Sequence, residues 1–177
     1  MTTAAARAAG LPWRSLRFAA ATALVSGALA ACGFALRQAP KMHFQTVQLK
    51  GFAANSPLAQ ELRQNIDASP DTRVVDSAAQ AQVVLEALAD SRDRGVVGTT
   101  ATGLVREFEL RMRFKFQLQT QGGKELIAPT ELTQTRDLSY NEGVALAKQY
   151  EEANQFKAMQ SDIVAQVMRR LAAVPAP

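Results

Sequence analysis

The segment from residue 106 to 120 alternates between apolar and polar side chains. Every even position from 108 to 118 is apolar, and every odd position from 107 to 119 is charged or a glutamine. Because successive side chains of a β-strand point to opposite faces of a sheet, this period of two predicts a strand with one buried face and one solvated face. The apolar face must be covered by another layer of structure. The uncovered face would carry Glu107, Glu109, Arg111, Arg113 and Lys115.

Other segments have weaker strand patterns. The glycines of residues 121–124 predict a hairpin turn after the long strand. The glycine-containing segment between Asp90 and Gly103 is interpreted as a flexible connection. Alternation and β-branched residues predict the remaining strands at 46–52, within 73–76 and 83–89 as one or two strands, and at 130–138.

Two segments have the apolar spacing of amphipathic helices. Residues 55–57 offer an N-cap and a proline, before leucines and an isoleucine at 58, 62 and 66. Asn141 or Ser139 can cap a final helix that extends to about Leu171 and has Arg169 and Arg170 in its last turn. The expected fold class is α+β, a two-layer sandwich with two helices packed on one face of a mostly antiparallel or mixed sheet of about four strands.

The N-terminal residues have the pattern of an export signal. Three arginines precede or begin an apolar segment, 18–31, which ends in small residues before Cys32. This segment is shorter than the roughly 20 residues that a membrane-spanning helix needs. Residues 29–33 resemble a bacterial lipobox, which implies cleavage before Cys32 and a diacylglycerol and an N-acyl chain on that cysteine, with no other cofactor. Gly33, in place of the aspartate that retains enterobacterial lipoproteins at the inner membrane, permits sorting to the outer membrane.

An ordinary signal peptide followed by a buried cysteine is the alternative. Cys32 is the only cysteine, so it has no partner for an internal disulfide in an oxidising compartment. Acylation explains such a residue better than a free thiol does. The predicted organisation is a signal peptide at 1–31, a lipidated tether at 32–43, one α/β domain at 44–172 and a flexible tail at 173–177.

The basic character of the chain comes mostly from its signal segment. The chain has 20 basic and 16 acidic residues, and three of the basic residues but none of the acidic ones precede Cys32. The mature chain therefore has a net charge of only +1. This charge gives no support to nucleic-acid binding. The aromatic residues of the long strand lie on its apolar face, which is typical of a core and not of a base-stacking surface.

Catalytic and metal-binding patterns find no support in the sequence. His43 is the only histidine, and it has neither a second histidine nor a free thiol to work with. Gly95, Gly98 and Gly103 are not followed by the lysine and hydroxyl residue of a phosphate-binding loop. We therefore expect a protein that is not an enzyme.

Both ends of the mature chain resemble the LptE family of lipopolysaccharide-assembly lipoproteins. Residues 32–37, Cys-Gly-Phe-Ala-Leu-Arg, look like the start of the mature family members. Residues 140–148 and the final helix, ending Met-Arg-Arg-Leu at 168–171, are similar to the last strand-to-helix junction and helix of that family. The resemblance implies an outer-membrane location and a plug inside the LptD β-barrel. It also implies a role in the assembly of that barrel, and contact with lipopolysaccharide.

Contacts with anionic lipid A phosphates and core sugars should come from lysine or arginine. Lys148 is the first candidate, because it occupies the lysine of the family's Leu-Ala-Lys pattern; solvation of the final helix is the equally weighted alternative. The second candidates, Arg111, Arg113 and Lys115, cluster on one strand face, although simple solvation of that face also explains them. Some members have a basic residue before the long strand where this chain has none at 101–105, which could shift the contact to Arg92, Arg94 or Arg106.

A second functional hypothesis also fits an anchored envelope domain. It is an auxiliary lipoprotein of another envelope lipid-transport system of the ABC type, or a stand-alone periplasmic lipid binder. The two hypotheses differ in whether a large β-barrel accompanies the protein.

Overall fold

The computed structural model describes residues 40–176. The predicted signal segment, the lipidation site Cys32 and the sorting residue Gly33 lie outside the described residues. The elements in chain order are β1 (Thr46–Lys50), α1 (Pro57–Asp67), β2 (Arg73–Val75), β3 (Val83–Thr99), β4 (Val105–Thr120), β5 (Glu125–Ser139) and α2 (Ala145–Ala172).

The strands form one mixed sheet in the order β2-β1-β3-β4-β5. β1 is parallel to both of its neighbours, and β3, β4 and β5 form an antiparallel meander. The glycine-rich turn between β4 and β5 has Gly123 at a φ of +83°, as a tight reversal requires. The sheet has five strands and not about four, because the three-residue β2 pairs with β1 as a separate strand.

Both helices lie on the face of the sheet that carries the even residues of β4. Ser56 caps α1 by accepting a hydrogen bond from the Ala59 amide at 3.2 Å, and Leu58, Leu62 and Ile66 are buried. The side chain of Asn141 accepts a hydrogen bond from the Gly143 amide in the short 3₁₀ turn that leads into α2. The predicted α+β class and the single helical layer are therefore confirmed.

The alternation of β4 produces the centre of the core. Leu110, Met112, Phe114, Phe116 and Leu118 are fully covered. The core also includes Met42 and Val174, from segments that the sequence had placed in the tether and in the flexible tail. The Nδ1 atom of His43, the residue after Met42, lies 3.0 Å from the carbonyl oxygen of Val174.

The segment after Asp90 was wrongly interpreted as a flexible connection. It continues β3 to Thr99 and pairs with β4 through the turn at 100–104. A β-bulge at Leu88 changes which side chains of β3 face the helices. Before the bulge these are the odd residues Val83, Leu85 and Ala87. After it they are the even residues Asp90, Arg92 and Arg94. Because polar side chains lie on both faces of this part of β3, the sequence there lacks the apolar–polar alternation that is typical of a strand.

Candidate functional site

The uncovered face of the sheet carries the predicted basic cluster, but the cluster is mixed in charge. Arg111 forms an ion pair with Glu109 of its own strand. The Nη2 of Arg113 lies 3.2 Å from the Oδ2 of Asp93 on β3. Lys115 is directly opposite Glu131 in the register of β4 and β5. The face is therefore strongly hydrophilic without a concentration of positive charge.

Further along the same face, Glu86 of β3 is held by two neighbouring strands. Its carboxylate lies 3.0 Å from the Nζ of Lys50 and accepts a hydrogen bond of 2.8 Å from Gln117. The hydrogen bond from Lys50, and then that from Gln117, lower the pKa of Glu86 below its ordinary value of 4.5. This contact stabilises the sheet where its parallel and antiparallel parts meet.

Lys148, the first candidate for lipid contact, lies on the inner side of α2. Its side chain is only 18% exposed. The Nζ donates hydrogen bonds to Ser139 at 3.1 Å and to Glu151 at 2.8 Å. The ammonium group is thus held next to the end of β5, and an incoming anion would have to share it with Glu151.

Arg92 and Arg94, the alternative candidates, face the helical layer. Arg92 donates a hydrogen bond to Gln160 of α2. Arg94 forms an ion pair of 2.8 Å with Glu152, and its guanidinium lies 4.6 Å from the centre of the Phe108 ring. A cation over an aromatic face is held by attraction to the π electrons as well as by the carboxylate.

Three of the candidates lie towards one end of the described domain, which we call the hairpin end. It consists of the β3–β4 turn, the end of β5 and the start of α2. Arg94 and Lys148 approach it from β3 and α2. The exposed Arg106 lies at the beginning of β4, where its carbonyl accepts a hydrogen bond from the Tyr140 amide. Arg111, Arg113 and Lys115 point away, on the opposite face of the sheet.

The hairpin end also collects exposed apolar side chains that the sequence analysis did not assign to a site. Val96 and Val97 of β3 are about half exposed, and Leu146 and Tyr150 of α2 are two-thirds exposed. Val96 and Val97 lie in the segment of residues 90–103 that was predicted to be a flexible connection, so they were not recognised as part of a surface. The i, i+4 spacing of Leu146 and Tyr150, outside the buried stripe of the last helix, was the available signal. The other members of the surface are Leu104 and Val144.

Between α2 and β3, the Arg94–Glu152 pair borders an open cleft of about 310 Å³. Phe156, Ala153 and Gln149 complete its lining. Within residues 40–176, no group of histidine, cysteine and carboxylate side chains is arranged to hold a metal ion. In the same part of the chain, none of the helices has the length and apolar character needed to cross a bilayer.

Comparisons with known proteins agree with this architecture. The solution structure of lipoprotein B from Nitrosomonas europaea is 30% identical, with a TM-score of 0.69 over 80% of this chain and 91% of that one. The crystal structure of rare lipoprotein B from Shewanella oneidensis is 25% identical, with a TM-score of 0.62 over 73% and 95% of the two chains.

A minor lipoprotein from Acinetobacter baumannii, 20% identical, shares the fold with a TM-score of 0.62, over 76% of this chain and 97% of that one. The search of curated proteins finds no match. The model of the family described as "LptE: Lipopolysaccharide-assembly" matches residues 44–171, which span the sheet and both helices. The predicted family is thereby confirmed, and the chain belongs to the LptE family of lipopolysaccharide-assembly proteins.

Proposed function

We propose that this protein is an outer-membrane lipoprotein that plugs the lumen of an LptD-like β-barrel and helps that barrel to assemble. The family match over residues 44–171 is the observation that carries the proposal. The uncovered sheet face supports it, because its opposite charges are paired with one another and it can meet a polar, water-filled barrel interior without burying an uncompensated charge.

The hairpin end is the part of the domain best suited to contact lipopolysaccharide. It combines the cations Arg94, Arg106 and Lys148 with exposed apolar side chains of β3 and α2. A lipid with phosphate groups and acyl chains needs both kinds of contact. The open-face cations Arg111 and Arg113 are weaker candidates, since they lie on the opposite face of the sheet from the exposed apolar side chains of α2.

The acyl chains proposed on Cys32 would hold the domain at the outer membrane, and Gly33 would permit that location. More than one chain is needed for stable anchoring, which a diacylglycerol with an N-acyl chain supplies. In this proposal the protein is not an enzyme and binds no nucleic acid. Its role is to fill the barrel lumen, to help the barrel assemble and to contact lipopolysaccharide.

Purification from native outer membranes tests the partner. The tagged protein should copurify with a large β-barrel protein after mild detergent extraction. The amount of that barrel protein in the outer membrane should fall in cells depleted of this chain. Recovery without a barrel, together with components of an ABC-type lipid transporter, would instead support an auxiliary lipoprotein of another envelope system.

Charge reversal at Lys148 tests the lipid contact. Lys148→Glu should weaken lipopolysaccharide binding, because a cation that can approach a phosphate is replaced by an anion. Lys157→Glu makes the same change of charge at an exposed position on the same helix and should leave binding close to that of the unchanged protein. Equal binding by all three proteins, with unaltered circular dichroism, would make Lys148 a structural lysine.

A further inference from the structure

Helix α2 is divided into two halves that are held to the sheet by different forces. All side chains of residues 145–158 are exposed or half-buried. The half that follows supplies seven buried side chains: Met159, Gln160, Ile163, Val164, Val167, Met168 and Leu171. Burial of apolar surface therefore secures the carboxyl-terminal half, while the amino-terminal half gains little from it.

The inner side of residues 145–158 makes polar contacts where the other half makes apolar ones. Lys148 bonds to Ser139, and Glu152 pairs with Arg94. Arg136 of β5 donates hydrogen bonds of 2.9 Å to Gln155 and, one helical turn beyond the boundary, to Asp162. Phe156 is the only large apolar side chain of this half that packs against the core.

Such contacts are weak and sensitive to salt. Pairs between partly exposed charges contribute little net stability, and dissolved ions screen them further. Arg94 is 47% exposed and Asp162 is 53% exposed, so solvent reaches both the Arg94–Glu152 and the Arg136–Asp162 ion pairs. The outer side of this half adds no support, because Leu146 and Tyr150 extend into solvent.

We propose that residues 145–158 form an arm that opens from the sheet by local unfolding while the rest of the domain stays folded, and that salt promotes this opening. Opening would release Glu152 from Arg94 and uncover the guanidinium that lies over the Phe108 ring. The hairpin end would then present an unpaired cation next to an aromatic ring. The proposal concerns the fold alone, so it stands or fails independently of barrel or lipopolysaccharide binding.

Hydrogen–deuterium exchange of the mature lipidated protein in detergent micelles tests the arm. Peptides from 145–157 should exchange faster than peptides from 159–171, and raising the salt concentration should increase exchange about two- to fivefold in the first group only. Equal protection in the two halves, or an arm whose exchange ignores salt, would overturn the proposal.

Two variants distinguish the effect of the Arg94–Glu152 ion pair on the arm from a general effect of removing a positive charge. Arg94→Gln should raise exchange in the arm at low salt and reduce its further response to added salt. Arg113→Gln removes a similarly exposed arginine from an ion pair on the opposite face of the sheet and should leave exchange in the arm unchanged. An equal effect of both variants on the arm would contradict a specific role for the Arg94–Glu152 contact.

Discussion

At the scale of single residues, Gly51 has less room for a side chain than any other glycine in residues 40–176. It follows β1 with a φ of +80°, and a Cβ atom there would lie 2.3 Å from the carbonyl oxygen of Ala87. Gly51→Ala should therefore lower the free energy of unfolding by more than the roughly 1–2 kcal/mol that a left-handed conformation alone costs an L-residue. Gly103→Ala, with a φ of +83° and open space around it, should show only that conformational cost. Urea denaturation measures both, and equal losses would argue against the close approach.

Glu86 should contribute to the acid sensitivity of the domain. Its folded-state pKa is lowered by hydrogen bonds from Lys50 and Gln117, so its stabilising effect is present above the unfolded value of 4.5 and is lost as the pH falls through the folded value. The stability difference between the unchanged protein and Glu86→Gln should accordingly be larger near neutral pH than in acid. In a Lys50→Gln background this pH dependence should shrink, and an identical dependence in both backgrounds would exclude Lys50 as the main cause.

At the scale of elements, the strands differ in how much of them the sequence could predict. β4 was predictable because one of its faces meets the core along most of its length, which gives a clean alternation. The second half of β3 was not, because the bulge at Leu88 reverses its parity and its inward positions include Arg92 and Arg94, whose partners lie on α2. Such partners are distant in the sequence and become neighbours only after folding.

The faces of β4 make a direct prediction about stability. Phe114 is fully buried, with ring centres 5.8 Å from Phe52 and 5.4 Å from Phe116, so Phe114→Ala should cost about 3–5 kcal/mol. Arg113→Ala, one residue away on the solvated face, should change stability by no more than about 1 kcal/mol, since its exposed ion pair contributes little. Chemical denaturation of the two variants compares the faces directly, and a tolerant Phe114→Ala would mean that they are assigned backwards.

At the scale of the whole molecule, the site was less predictable than the fold. Residue types and the family pattern were enough to select Lys148, but its contacts with Ser139 and Glu151 depend on how α2 follows β5. The apparent basic cluster of Arg111, Arg113 and Lys115 is neutralised by Glu109 of the same strand and by carboxylates that the strand register places beside it, Asp93 of β3 and Glu131 of β5. Charge along a sequence predicts the solvated face, whereas charge at a surface is decided by strand pairing.

Anchoring and sorting are properties of the whole protein that two adjacent substitutions can separate. Cys32→Ala removes the proposed acyl acceptor, so the protein should remain unprocessed or become soluble in fractionated cells. Gly33→Asp keeps the acceptor and introduces the inner-membrane retention residue known for enterobacterial lipoproteins, so the protein should remain lipid-anchored but move to inner-membrane fractions. Normal outer-membrane recovery of Cys32→Ala would refute the lipid anchor. If Gly33→Asp alone stayed in the outer membrane, the anchor would stand, and the location would have to be set by a signal other than residue 33 or by capture in the barrel.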